Sequence, residues 1–203
     1  HDKWNLWKFM ELEGFNSPKT FLLAESDPPD TFPLIAKERS GEGGKNQSLI
    51  ENQRDLDYCI DKYPNHIYQE LIQGREFSVD LFADVKGIPQ LIVPRERLSV
   101  RGGEVMTSKI NMNESIINLV KALSPRLALT GPCNIQGILD ENSTFFFTDL
   151  NLRFGSGSVH TIAAGGNIPL MIYQEMAGQN FLEPSIQDHS VMTRYPENIF
   201  HHS

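Results

Sequence analysis

Segments that alternate polar and apolar residues and can pair across tight turns, with helices interspersed but not strictly alternating, predict an α+β fold with largely antiparallel sheets. The first such pair is Glu76-Phe-Ser-Val-Asp-Leu-Phe-Ala83 with Pro89-Gln-Leu-Ile-Val-Pro94, joined by a turn near Val85-Lys-Gly87. The second joins Asn134-Ile-Gln-Gly137 to Phe145-Phe-Phe-Thr148 and Asp149-Leu-Asn-Leu-Arg-Phe-Gly155 through the turn-rich Asp140-Glu-Asn-Ser143. Between them, 114–127 carries Ile116, Ile117, Leu119, Val120 and Leu123 at helical spacing, a clear amphipathic stripe.

Taken from the start, Asp2 can cap a helix over 3–13, with Trp4, Leu6, Trp7, Phe9, Met10 and Leu12 as its apolar residues and Gly14 as its end. Residues 17–23 read as a strand entered through a proline turn, and Asp27-Pro-Pro-Asp30 as a rigid connector. Phe32-Pro-Leu-Ile-Ala-Lys37 is a short buried strand, followed by Ser40-Gly-Glu-Gly-Gly-Lys45, too glycine-rich for a regular element. A strand over 46–49 and a helix over 51–60 follow, then a strand over 67–72 interrupted by Gln73-Gly74. Residues 95–110, with three arginines and Gly102-Gly103, suggest an exposed, mobile segment. A helix over 169–176 and a closing strand near 190–194 complete the chain. The segment 69–74 is the expected hinge between two lobes, 1–72 and 73–203.

The chain has 203 residues, 39% hydrophobic and 22% charged, enough for one large domain or two small lobes. No apolar stretch approaches the ~20 residues of a membrane span, and the first residues lack the apolar region of a signal peptide. Cys59 and Cys133 lie far apart among apolar neighbours and read as reduced core residues of a cytoplasmic protein. A formal charge of −8 argues against a general nucleic-acid binder but leaves a local phosphate site open. The chain opens at His1 and runs straight into helix-like sequence, so the expectation is a piece of something longer; His201-His-Ser203 is assigned no chemistry.

The richest chemistry lies in the second hairpin. Successive residues of a strand face opposite ways, so Asp149, Asn151 and Arg153 share a face, as do Asn134 and Gln136. If the strands are neighbours, one face presents a carboxylate, amide oxygens and a guanidinium. Hard oxygen donors beside a cation suit a magnesium-bound phosphate. The plain alternative is a wet amphipathic hairpin. The metal reading is favoured because the polar face lies among apolar residues and is followed by Gly155-Ser-Gly-Ser158, where backbone can approach a ligand. Lys37 ends an apolar strand just before the glycine-rich loop, an arrangement that suits an anion as well as it suits a flexible turn beside a snorkelling lysine.

In order, Lys3, Lys37 with the loop 40–44, the segment Gln69-Glu-Leu-Ile-Gln-Gly-Arg-Glu-Phe-Ser-Val-Asp80, Asn134-Ile-Gln136 and Asp149-Leu-Asn-Leu-Arg153 resemble the ATP-grasp superfamily. The resemblance is greatest to the branch of the carbamoyl-phosphate synthase large subunit and runs from Lys3 to about Gly178. It implies two α+β lobes clamping ATP. Lys3 and Lys37 correspond to cationic contacts of the phosphates, and Gly41, Gly43 and Gly44 to the lid over them. Gln69, Glu70, Leu71 and Ile72 correspond to the adenine-recognising strand, and Glu76 to the ribose-holding acid. Gln136, Asp149 and Asn151 match the ligands of Mg²⁺, with Mn²⁺ a possible substitute. Asn134 and Arg153 match positions facing the transferring phosphoryl group or the activated acid; with Lys37 they form the implied catalytic set.

Three departures stand out: Asp149 replaces the usual glutamate, Leu152 replaces a proline, and the amino-terminal lobe that normally precedes the Lys3 helix is not in this chain. The implied activity is ATP- and Mg-dependent ligation of a small carboxylate or bicarbonate to an amine, ammonia or thiol, with a further lobe or a homo-oligomer as expected partners. The alternative is a non-catalytic ATP-binding module or fragment. Arg95, Arg97 and Arg101 either steer an anionic substrate or solubilise their segment, the first being favoured for Arg101. His160 reads as structural, and Asp80 and Asp84 as polar strand positions.

Overall fold

The computed structural model describes residues 2–26, 29, 31–41, 47–195 and 197. Helix α1 spans Lys3–Glu13; Asp2 accepts a hydrogen bond from the Asn5 N–H at its start, and Gly14, at φ 73°, ends it in the left-handed conformation glycine adopts readily. A four-stranded sheet has the order β1-β4-β2-β3, built from β1 (Thr20–Phe21), β2 (Leu34–Glu38), β3 (Ser48–Ile50) and β4 (His66–Glu70). Leu34, Ala36, Ile50 and Tyr68 pack with Leu56 and Cys59 of α2 (Gln53–Lys62). Strand alternation then sends Ile35, Lys37 and Gln69 to the other face, where Ile35 pairs with Gln69 in register.

The second sheet is six-stranded and antiparallel throughout, in the order β10-β7-β6-β5-β8-β9. Its strands are β5 (Arg75–Ala83), β6 (Pro89–Arg101), β7 (Glu104–Ile110), β8 (Gly131–Leu139), β9 (Phe145–Asn151) and β10 (Val191–Thr193). One face buries Phe77, Val79, Leu81, Ile135, Phe145 and Phe147 against Ile116, Val120 and Leu123 of α3 (Glu114–Arg126) and Met10 of α1. On the other face, Phe82, Leu91, Val93 and Ile110 pack with Ala164 and with Ile168 and Met171 of α5 (Ile168–Met176). That second apolar patch covers only part of its face. The rest, toward the β8–β9 edge, is polar and looks onto the four-stranded sheet.

An irregularity sets which residues reach that polar area. Gln136 pairs with Asp149 but Gly137 pairs with Phe147, so Thr148 is an extra residue in β9. Without this bulge, Asp149 would follow Phe145 and Phe147 into the core. With it, Asp149 and Asn151 stand on the same face as their partners Gln136 and Asn134.

The exposed, mobile segment expected over 95–110 is in the structure the regular β6–β7 hairpin, exposed over 98–104 but buried at Arg95, Val105, Ser108 and Ile110. Gly102 and Gly103 have φ of 58° and 81°, the pair of positive values a tight two-residue hairpin turn requires. Its arginines were misleading because their charge suggested solvent, whereas Arg95 is fully buried. The strand expected over 17–23 shrinks to Thr20–Phe21; Pro18 has no N–H to give, and the Leu22 carbonyl turns back to Glu25 and Ser26. Helix α4 (Ser158–Ala163) was hidden by the Gly-Ser run before it and has no side-chain cap. The 3–13, 169–176 and 190–194 expectations agree with α1, α5 and β10 within two residues. Among the described residues no helix is long and apolar enough to cross a membrane.

Candidate functional site

A cavity of about 830 Å³ lies between the two sheets. From the first sheet side it is lined by Lys3, Ile35, Lys37, Gly41 and the segment Gln69–Ile72. From the second it is lined by Glu76, Ser78, Arg95, Arg97, Asn134, Gln136, Asp149, Asn151 and Arg153. Every site residue that the resemblance implies therefore borders one space, apart from Gly43 and Gly44, which lie outside the described residues; Arg101, favoured from the sequence as steering an anion, is not in the lining.

On the first side, α1 begins against the glycine-rich segment: Lys3 Nζ donates to the Gly41 carbonyl at 2.7 Å. Lys37 Nζ donates to Gln69 Oε1 at 2.8 Å, and Gln69 Nε2 donates to Thr20 Oγ1 at 2.9 Å, so the Gln69 side chain links Lys37 to Thr20. Burial drives the Lys37 ammonium down to about 8, against the attraction of Asp149 and with repulsion from Lys3. In the segment 69–72, the Glu70 and Leu71 N–H groups donate to the Lys19 and Pro33 carbonyls, at 2.9 and 3.3 Å. The Ile72 N–H has no backbone partner among the described residues.

On the second side, Asp149 is a half-buried carboxylate. Desolvation raises its pKa despite Lys3 and Lys37, the Leu150 N–H and the Asn151 amide, all of which favour the charged form. A carboxylate this poorly hydrated gains from any additional cation. Among the described residues no cluster of three or more His, Cys, Asp or Glu is placed to cage a metal. One carboxylate with the amide oxygens of Gln136 and Asn151 instead fits a hard cation whose remaining ligands come from phosphate and water.

Asp80, read from the sequence as a polar strand position, is buried beneath the cavity and ties together residues that line it. Its Oδ1 accepts from Asn134 Nδ2 at 2.7 Å and from Ser158 Oγ at 2.7 Å. Its Oδ2 accepts from Arg95 Nε at 2.9 Å and from Thr161 Oγ1. The turn 155–157 lies directly on this network. A Cβ at Gly155 would collide with the Asn134 amide, and one at Gly157 with the Arg95 guanidinium. Sequence reasoning missed Asp80 because its partners come from three other elements, β6, β8 and α4; only its position two residues from Ser78 and four from Glu76, on the polar side of β5, hinted at the site.

His160 does not border the cavity. Its Nδ1 lies 2.8 Å from Ser108 Oγ and its Nε2 3.1 Å from Ser190 Oγ, tying α4 to β7 and to the start of β10. Burial and the nearby Arg95 charge lower its pKa, as expected of a neutral structural histidine. Asp84 likewise is structural, accepting from the Lys86 and Ile88 N–H groups in the β5–β6 turn. Arg101 sits exposed at the hairpin tip.

Two facing antiparallel sheets around a cleft with lysines on one side and a carboxylate–amide set on the other define a nucleotide-clamping α+β architecture. A family model described as the ATP-grasp domain matches residues 1–157, and the chain belongs to that family. Solved structures agree in fold. N5-carboxyaminoimidazole synthetase from Staphylococcus aureus complexed with ADP superposes with a TM-score of 0.80 at 16% identity, over 96% of this chain and 56% of that one. Biotin carboxylase from Campylobacter jejuni, as its β-γ-ATP complex, gives 0.74 at 18% identity, over 95% and 50%. L-amino acid ligase from Bacillus licheniformis gives 0.69 at 17%, over 91% and 48%. The chain thus spans about half the length of the solved structures it matches.

Proposed function

We propose that this chain is the ATP- and Mg-dependent catalytic unit of a carboxylate–amine ligase of the carbamoyl-phosphate synthase-like kind. The observation that carries the reading is the opposition of Lys37 and Asp149 across one cavity, each shifted by burial toward its neutral form and each favoured by the other's charge. An anionic phosphate chain with its metal relieves both at once. In this reading residues 1–72 and 73–203 are the two lobes.

Lys3 and Lys37 hold phosphate oxygens as fixed donors, and Gly41 with Gly43 and Gly44 supplies backbone N–H groups above them. With the Glu70 and Leu71 N–H groups engaged, Ile72 is the N–H left for the purine edge, beside the carbonyls of 69–72. Glu76 takes the ribose hydroxyls. Asp149, with Gln136 and Asn151, would hold Mg²⁺, and Mn²⁺ suits the same oxygen donors. The metal, when bound, neutralises charge on the phosphoryl oxygens. Asn134 and Arg153 face the acid and the transferring group. An oxygen of the carboxylate or bicarbonate attacks the γ-phosphorus, the bond to the β–γ bridging oxygen breaks, and ADP departs. The amine, ammonia or thiol then attacks the acyl carbon and phosphate leaves. The chain's contribution is alignment and charge stabilisation.

A panel of amino acids, bicarbonate and ammonia incubated with MgATP tests this by ADP release. Acid-dependent ADP release with an amide or carbamoyl product is expected, and a stable phosphorylated product would mark a plain phosphotransferase instead. The half-length coverage of the matched structures favours a second reading, a nucleotide-binding module within a larger ligase; tight MgADP binding with no turnover on any substrate would select it.

Lys37 also sets a pH dependence. Its ammonium is charged below about 8 and lost above it. A bound phosphate raises that value, so binding takes up a proton at alkaline pH. MgADP affinity is therefore expected to fall as pH rises from 7 to 9, with proton uptake visible as a buffer-dependent enthalpy in calorimetry. Lys37→Met should bind weakly and show a flat profile across that range.

A further inference from the structure

Arg97, for which the sequence leaves open steering of an anionic substrate or mere solubilisation, lines the cleft. Arg95 and Arg97 stand two apart on β6 and so share the sheet face that borders the cavity. Arg95 is committed to Asp80 and Thr161 beneath the cavity. Arg97 is not. Its side chain is only 12% exposed, yet its one ion pair among the described residues is with Glu76, Nη1 to Oε2 at 3.2 Å, and the Glu76 side chain is itself 53% exposed. The Nε of Arg97 is buried with no partner among the described residues, as is Nη1 of Arg95 beside it. An arginine that is nearly out of water, with one edge of its planar fork unfilled, is suited to a planar oxyanion that meets two N–H groups at once.

The surroundings narrow the choice. Arg97 feels the charges of both Glu76 and Asp149, and burial together with Arg95 weakens its hold on its proton, so a second anion is favoured there. Lys3 and Lys37 already serve the phosphate end from the opposite sheet. Arg97 stands on β6, which β5 separates from β8 and β9, where the metal-ligand candidates Gln136, Asp149 and Asn151 lie. Building on the ligase reading above, we infer that Arg97 is the docking side chain for the planar oxyanion of the acid substrate, a carboxylate or bicarbonate, with Arg95 as its buried positive backing. Glu76 holds the guanidinium in place from the outer edge, leaving the Nε edge for substrate. The sequence resemblance gave Arg97 no role.

Calorimetry separates this from a nucleotide phosphate contact. MgADP is titrated into wild type, Arg97→Gln and Arg97→Lys; bicarbonate, acetate and L-glutamate are then titrated into each MgADP-loaded protein. The expected result is MgADP affinity within about threefold across the three proteins. At least one of the anions should bind the wild type and weaken by about tenfold or more in Arg97→Gln, with partial recovery in Arg97→Lys, which keeps charge but not the fork. Loss of MgADP affinity with anion binding unchanged would assign Arg97 to the nucleotide and overturn the inference. So would equal anion affinity in all three proteins, or no anion bound by loaded wild type. Failure of wild type to bind MgADP would count against the nucleotide reading separately. Thermal unfolding of each variant identifies a folding defect, and Arg97→Lys keeps the test open if Arg97→Gln unfolds.

Discussion

Replacing Asp149 with asparagine is expected to lower acid-dependent ADP release by about 10²–10³-fold or more, the scale seen when a preorganised group facing developing charge is removed. The same variant should be at least as stable as the wild type. Burial raises the Asp149 pKa, so the ionised form is the less favourable one in the folded protein. For an acid, a raised folded-state value means that stability is highest below the unfolded pKa and declines as pH rises through the folded one. Above the folded value that cost is fully present, and an uncharged isostere removes it. Loss of turnover with an unchanged or raised melting temperature is thus the expected pair of results, read by ADP assay and by circular dichroism. A second consequence follows for Lys37, which loses the attraction that holds its ammonium charged, so its titration moves below about 8.

The opposite pattern is expected at Asp80. Truncation to alanine leaves Arg95, which is fully buried, without its counter-charge and frees Asn134, Ser158 and Thr161 at once. Removing one partner of a buried ion pair costs about 3–5 kcal/mol. In a chain of this size that lowers the melting temperature by roughly 6–20 °C. The arrangement also predicts coupling. Arg95→Met in the Asp80→Ala background should recover much of the loss, because it removes the uncompensated charge. Additive losses in the double variant would show that the pair does not act as a unit. Asp149 and Asp80 therefore separate two kinds of carboxylate, one lining the cavity whose charge destabilises the fold where it serves the site and one beneath it whose charge organises the lining residues Arg95 and Asn134.

Much of this was readable from the residues. The alternation in 76–83 and 89–94, and the pairing of 134–137 with 145–151, fixed two hairpins of the larger sheet, because one face of each had to be buried. The candidate set from Lys3 to Arg153 converges on one cavity because β2, β4, β8 and β9 present their polar residues to the same gap. What the sequence hid depends on partners distant in the chain. The charge of Arg95 suggested solvent, and only the structure supplies Asp80 and Thr161 to bury it. Asn134 looked like a ligand-facing amide, yet its nitrogen is spent on Asp80 and only the rest of the group borders the cavity. The bulge at Thr148 is invisible as well: Phe145, Phe147 and Asp149 are evenly spaced, and simple alternation would bury all three together. Helix α4 had no cap or apolar period long enough to declare it.

The account depends on a magnesium-chelated phosphate chain spanning from Lys37 to Asp149. Its most direct test is ADP affinity measured with excess Mg²⁺ and with EDTA, in wild type and in Asp149→Asn. Magnesium should tighten ADP binding to the wild type by about tenfold, a difference of ~1.4 kcal/mol, and do far less for Asp149→Asn. An equal gain in both proteins, or none in the wild type, would contradict it.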